Sequence, residues 1–256
     1  MKTVIYYFSG TGNSLVLARG LATRLGADEP VNLRHCRGRE IQDDADRVGI
    51  VFPVYAFGPP QLVVRFLNGF STAASYVFAI CNCGGSPGSA LRFAAGLLQR
   101  RGIRLAAGFS IVMPSNYLPF GGAPAVERQQ QLFLAAGKRL DRIGELVAAG
   151  VVMAPEKTSW LPDWFSHAVY RWFVAGMKKS SRKFFVTDQC TRCGLCEKIC
   201  PVGNITLTDG RPQWGERCEM CLACLQWCPA QAIAFGREYR GRRHYHHPDV
   251  AAADLM

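Results

Sequence analysis

Eight of the eleven cysteines fall between positions 190 and 228, in two runs that each end in Cys-Pro. The first reads Cys-Thr-Arg-Cys-Gly-Leu-Cys-Glu-Lys-Ile-Cys-Pro from Cys190, the second Cys-Glu-Met-Cys-Leu-Ala-Cys-Leu-Gln-Trp-Cys-Pro from Cys218. They are one repeat displaced by 28 residues, with Cys190/Cys218, Cys193/Cys221, Cys196/Cys224, Cys200/Cys228, Pro201/Pro229 and Ile205/Ile233 in register. Three cysteines spaced by two residues can wrap one iron-sulfur cubane, presenting soft thiolates to three of its irons. Structural zinc is the competing chemistry, because pairs of Cys-x-x-Cys suit tetrahedral coordination. A zinc ribbon, however, leaves the later cysteines of each run and both prolines without a role, so the spacing favours iron-sulfur chemistry.

A second motif lies at the other end of the chain. Ser9, Gly10, Thr11, Gly12, Asn13 and Ser14 follow an apolar run and open a helical pattern. Small residues and three hydroxyls at a helix N-terminus let backbone N–H groups converge on one phosphate. No Gly-Lys-Ser/Thr follows, which argues against a nucleoside triphosphate, and Leu15 stands where a dinucleotide fingerprint needs its third glycine. A loop with hydroxyls and no cation suits a single terminal phosphate, as in FMN.

These residues carry two resemblances. Residues from about 184 to 236 resemble the bacterial-type ferredoxin with two four-iron clusters. That likeness implies crossed ligand sets: Cys190, Cys193, Cys196 and Cys228 for one [4Fe-4S] cluster, and Cys218, Cys221, Cys224 and Cys200 for the other. Residues 1 to about 150 resemble flavodoxin, whose phosphate loop is similar to Ser9–Ser14. The resemblance implies flavin-ring contacts from two further loops. One is Pro53, Val54, Tyr55, Ala56, Phe57 and Gly58, with Tyr55 and Phe57 covering the ring and Gly58 turning its peptide. The other runs from Cys81 through Asn82, Cys83 and Gly84 to Gly85, with Asn82 at the ring edge. The whole arrangement resembles the EFR1 ferredoxins, a likeness that implies an electron carrier and no substrate. The segment Pro114–Gly122 has no firm counterpart in small flavodoxins; Asn116 and Tyr117 either flank the flavin or make a domain contact.

The elements that must position these groups are legible in the apolar pattern. Strands are predicted near residues 4–8, 30–33, 48–52, 76–80 and 109–113, alternating with helices near 15–25, 59–68, 87–100 and 125–149. Such alternation predicts an α/β fold: a flavodoxin-like, doubly wound, five-stranded parallel sheet with a second, smaller α+β ferredoxin domain. The expected division is 1–150 for the flavodoxin-like FMN-binding domain, 151–183 for an amphipathic helical linker, 184–238 for the ferredoxin domain and 239–256 for a basic, His-containing tail. Within 160–183, Trp160, Trp164, Phe165, Val169, Trp172, Phe173 and Met177 fall largely on one helical face, ahead of Lys178, Lys179, Arg182 and Lys183. Packing of one domain on the other is the favoured role of this helix, and docking on a membrane surface is the alternative.

With 256 residues and 49% hydrophobic content the chain can bury real cores. Its formal charge of +11 counts every cysteine as neutral. Two clusters and a flavin phosphate would reduce it to roughly +5, which weakens the case for nucleic acid and suits an acidic redox partner protein. The N-terminal apolar run is too short for a signal peptide and no stretch is long enough to span a membrane, so the expected location is cytoplasmic, where a disulfide framework is disfavoured. Cys81 and Cys83 at a strand end, and Cys36 in a polar loop, are expected to be inert. The tail Arg240–Pro248 reads as a docking segment rather than a metal site. No catalytic set is recognisable. Flavin and clusters on one chain predict exchange of electrons between them and onward to a partner; the alternative is an FMN-dependent reductase of a small molecule, fed by the clusters. With no nicotinamide-binding motif visible, a partner reductase is implied.

Overall fold

The computed structural model describes residues 1–118, 121–157, 162–236 and 243–256. Its centre is a five-stranded parallel sheet built from β1 (Thr3–Tyr7), β2 (Val31–Asn32), β4 (Arg47–Pro53), β6 (Tyr76–Cys83) and β7 (Leu105–Val112). The order β2-β1-β4-β6-β7 places the second strand of the sheet outside the first and the rest on its other side. This is the flavodoxin-like doubly wound order, whose reversal opens a crevice at the carboxyl ends of β1 and β4.

Strand residues alternate between two faces, and each face meets its own helices. Ile5 and Tyr7 pack with Leu15, Leu21, Leu140 and Ile143 of α1 (Asn13–Leu25) and α4 (Val126–Ala148). Tyr6, Phe8, Ile50 and Phe52 face Leu62, Val63, Leu91 and Leu98 of α2 (Gln61–Asn68) and α3 (Ala90–Arg100). Burial on both faces explains why these strands read as near-continuous apolar runs.

The structure differs from the pattern reading at short elements. The second strand is only two residues long and passes into a 3-10 turn, Leu33–Cys36, which carries Cys36 into the core rather than leaving it in a polar loop. The last strand starts at Leu105, four residues before the expected position. A small parallel pair, β3 (Ile41–Asp43) with β5 (Phe70–Thr72), went unpredicted because three-residue strands leave no periodic signal.

Beyond β7, α5 (Asp163–Ser181) leads into two antiparallel pairs: β8 (Phe184–Val186) with β11 (Ile233–Phe235), and β9 (Ile205–Thr208) with β10 (Arg211–Trp214). Between them lie the short helices α6 (Leu195–Ile199) and α7 (Ala223–Gln226). Asp209 and Gly210 both take left-handed φ, of 51° and 75°, as a two-residue hairpin turn requires. The cysteine repeat is also a backbone repeat. Left-handed φ recurs at Arg192 and Met220, at Gly194 and Leu222, and at Gly203 and Gln231, each pair 28 positions apart. Trp160 and residues 237–242, hence the start of the expected tail, lie outside the described residues, as do residues 119 and 120 of the 114–122 loop.

This region shares a core with the sheet, since Phe184, Val202, Ile205, Leu225, Ile233 and Phe235 belong to the same apolar cluster as Phe52, Leu62 and Leu91. Helix α5 fills the seam with Ser166, Tyr170 and Met177, all buried. The expected single aromatic face is in fact two. At 100° per residue, positions 166, 170, 173 and 177 point one way, and 164, 165 and 172 point elsewhere. Trp164 and Trp172 are accordingly exposed, at 70% and 79%.

Candidate functional site

Cys190, Cys193, Cys196 and Cys228 line one cavity, together with Leu195, Leu207, Pro212, Pro229 and Ile233. The other four gather nearby. Burial, then the neighbouring Cys200, raises the thiol of Cys221, and Cys224 responds in the same way to burial and then to Cys218 and Cys200. Burial lifts Cys218 to about 12 and Cys196 to about 11, and Cys228 adds to the latter. Thiols held this high ionise only when positive charge compensates them, which is what iron supplies.

Two features prepare these sulfurs for a cluster. Asn204 N–H donates to Cys200 Sγ at 3.2 Å, and its repeat mate Ala232 N–H donates to Cys228 Sγ at 3.3 Å. Such bonds favour thiolate and tune a cluster's potential. The indole N–H of Trp214 is buried without a hydrogen-bond partner, yet it lies close enough to favour the thiolate of Cys224. A buried donor beside a cysteine sulfur suits an iron-sulfur cluster, whose own sulfides accept. Among the described residues no three His, Cys, Asp or Glu side chains gather closely enough for a single metal ion.

The second cysteine run lies on the Ser9–Ser14 loop. A β-carbon on Gly10 would stand 2.7 Å from the carbonyl oxygen of Cys221, so only glycine permits the approach. Trp227 Nε1 donates to Gly10 O at 3.0 Å, and its ring stacks on His246 with centroids 4.1 Å apart. Glu219, which no sequence motif singled out, anchors the run on α2. Its buried carboxylate accepts from Leu62 N at 3.0 Å and from the Arg65 guanidinium at 2.5 Å, satisfying an N-terminal amide of a helix that has no side-chain cap of its own.

The loop residues are turned to protein partners. Ser9 Oγ accepts from Gly12 N at 3.0 Å, Thr11 Oγ1 accepts from Asn116 Nδ2 at 2.6 Å, and Ser14 Oγ donates to Asn82 Oδ1 at 2.5 Å. Asn13 accepts from the Tyr245 hydroxyl at 2.5 Å and donates to Pro114 O at 3.0 Å. His247 N donates to Thr11 O at 2.8 Å, and a β-carbon on Gly12 would meet His247 and Val250. The donor set suits a phosphate, and the chain's own C-terminal segment covers it. A phosphate on this loop requires that segment to move.

Of the two ring loops, the first forms a tight turn in which Tyr55 and Gly58 exchange backbone bonds and Ala56 and Phe57 take φ of 47° and 69°. Gly58 lies under the ring of Tyr170, where a β-carbon would be 2.4 Å from the ring, and Phe57 packs on Gly88. Tyr55 lies half-buried against Phe8, with Cys221, Glu219 and Cys218 nearby. Pro53 ends β4, and Val54 N donates to Asn82 O at 2.9 Å, tying this loop to the next. In that second loop Cys83 Sγ donates to Gly85 O at 3.3 Å and Gly84 abuts Ser115. Asn116 and Tyr117 serve the domain contact: Asn116 O accepts from Gln226 at 2.8 Å, and Tyr117 meets Phe173 edge-on.

Burial raises Cys81 far above an ordinary thiol and Cys83 to about 11. Both are therefore expected to react with iodoacetamide at pH 8 at least about 100-fold more slowly in the native protein than in the unfolded chain. Peptide mass spectrometry reads the difference, and rapid native modification of either would contradict it. Burial also lowers His244 and His247. His247 packs at a tilt on Phe133 and His246 stacks on Trp227, the contacts of a docked segment.

Residues 176–233 match the family model of the 4Fe-4S dicluster domain, a span that contains all eight clustered cysteines. A polyferredoxin-like protein of Methanocaldococcus jannaschii is 38% identical over 61 residues, which cover 24% of this chain. The match spans about a quarter, 27%, of that relative's length. Among solved structures, the chain is similar to Fusobacterium nucleatum flavodoxin bound to flavin mononucleotide, at 16% identity and a TM-score of 0.42, covering 58% of this chain and 98% of that one. It is also similar to a flavodoxin of Streptococcus pneumoniae, at 14% identity and a TM-score of 0.39, covering 59% and 100%.

Proposed function

We propose that the chain is an electron-transfer protein holding two [4Fe-4S] clusters and FMN, of the kind represented by the EFR1 ferredoxins, and that it passes electrons to a redox partner protein. The observation that carries this reading is the seating of the second cysteine run directly on the phosphate loop, through Cys221 and Trp227 against Gly10. In this reading Cys190, Cys193, Cys196 and Cys228 hold one cluster, and Cys200, Cys218, Cys221 and Cys224 hold the other. The second set is the inner one, with Cys200 and Cys224 buried, while Cys193 is exposed and offers the first set to a partner.

FMN, when bound, supplies exchange between two-electron and one-electron carriers. Ser9, Thr11 and Ser14 would hold its phosphate, with Tyr55 and Asn82 nearest the inner cysteines and the loop. The chain's own contribution is positional. Glu219 and Trp227 clamp the cysteine repeat to the sheet, and Tyr170 excludes water from the 55–58 turn.

Iron, sulfide and flavin analysis of protein purified without oxygen tests the proposal. About eight irons and one FMN per chain are expected. Zinc in place of iron would overturn the cluster assignment, and iron without flavin would overturn the FMN assignment alone.

A further inference from the structure

Helix α5 has two faces, and the interior needs only one of them. Tyr170 donates to Pro59 O at 2.6 Å and accepts from Gln61 at 2.7 Å, and Phe173 and Met177 complete the buried face. The opposite side carries Trp164 and Trp172 at 70% and 79% exposure, with Phe165 at its edge at 38%. Projected down the axis, Trp164, Ala168, Arg171, Trp172, Ala175 and Lys179 form a single stripe roughly 100° wide. The two indoles lie roughly 12 Å apart along it.

We propose that this stripe docks on the surface of an anionic lipid bilayer, with the helix lying in the interfacial plane. Three observations point to lipid. The charge is of one sign: Arg171, Lys179 and Lys183 are exposed and without an acidic partner among the described residues. The acids nearby are already engaged, Asp163 by Ser89 and Arg92, and Glu216 by Lys178 and Arg182. Finally, the stripe offers no Ser, Thr, Asn, Gln or carboxylate. A protein interface carries such directional hydrogen-bonding groups, whereas an interfacial helix needs aromatic anchors and cations near anionic headgroups. No helix among the described residues is long and apolar enough to cross a membrane.

The test uses the cluster-loaded full chain and vesicles of phosphatidylcholine, alone or with about 30% phosphatidylglycerol. Co-sedimentation with the anionic vesicles only is expected, weakening as salt rises, with a blue shift of tryptophan emission. In Trp164→Ser/Trp172→Ser and in Arg171→Glu/Lys179→Glu the partition coefficient should fall at least about tenfold, with visible cluster absorption unchanged as the sign of an intact fold. Failure of the unaltered chain to bind anionic vesicles overturns the inference, as does equal binding of both variants. Loss of a protein partner in the tryptophan variant, without any vesicle binding, assigns the stripe to that partner instead. None of these outcomes depends on the flavin.

Discussion

Replacing Cys200 by serine is expected to remove about half of the iron, and adding Cys218→Ser to it is expected to remove no more. The two residues belong to different runs, so a pairing local to each run makes the opposite forecast: the double variant would lose both clusters. Pairing Cys200→Ser with Cys196→Ser reverses the logic, because the crossed arrangement then leaves neither set complete. Iron content and the electron paramagnetic resonance of the reduced protein read the outcome. The geometry favours the crossed result, since Cys228 lines the cavity of Cys190, Cys193 and Cys196, and Cys200 acts on Cys218, Cys221 and Cys224.

The second large effect is expected at Trp227. Its ring is 8% exposed, stacks on His246 and donates to Gly10 O, so it joins the cysteine repeat, the C-terminal segment and the phosphate loop at one point. Truncation to alanine should cost about 3–5 kcal/mol, the usual range for a buried aromatic, and lower the unfolding midpoint by roughly 6–20 °C. Trp227→Phe keeps most of the packing and loses only the N–H bond, for about 1 kcal/mol. Denaturation of the cluster-loaded protein measures both. An alanine variant as stable as the phenylalanine one would mean that the ring does not hold the two parts together.

The sheet was legible because buried parallel strands announce themselves as apolar runs, as in Val48–Phe52 and Tyr76–Ile80. Ile41–Asp43 and Phe70–Thr72 were not, since three residues cannot display a period. The two cysteine runs stand out in the sequence by their spacing, and the dicluster-domain match covers both. What covers the phosphate loop was not legible. Ser14 finds Asn82, Thr11 finds Asn116 and His247, and Asn13 finds Tyr245, all at separations that local pattern cannot carry. The two faces of α5 lie between these cases. The spacing of Ser166, Tyr170, Phe173 and Met177 contains the answer, but counting aromatics without regard to phase merges the stripes. Glu219 carried no signal at all, because its role depends on meeting a helix start more than 150 positions earlier.

The distance in sequence between the phosphate loop and its cover has a kinetic corollary. Gly10 waits for Trp227, 217 positions later, and Thr11 for His247. All five sheet strands have left the ribosome once Val112 emerges. At about 5–20 residues per second, the nascent chain then stands with its Ser9–Ser14 turn exposed for on the order of 10 s before the closing segments are made. Such a late, long-range closure is also the slow kind, because the intervening polypeptide must be looped before any contact rewards it. The loop between β1 and α1 is thus among the last parts of the fold to complete its packing.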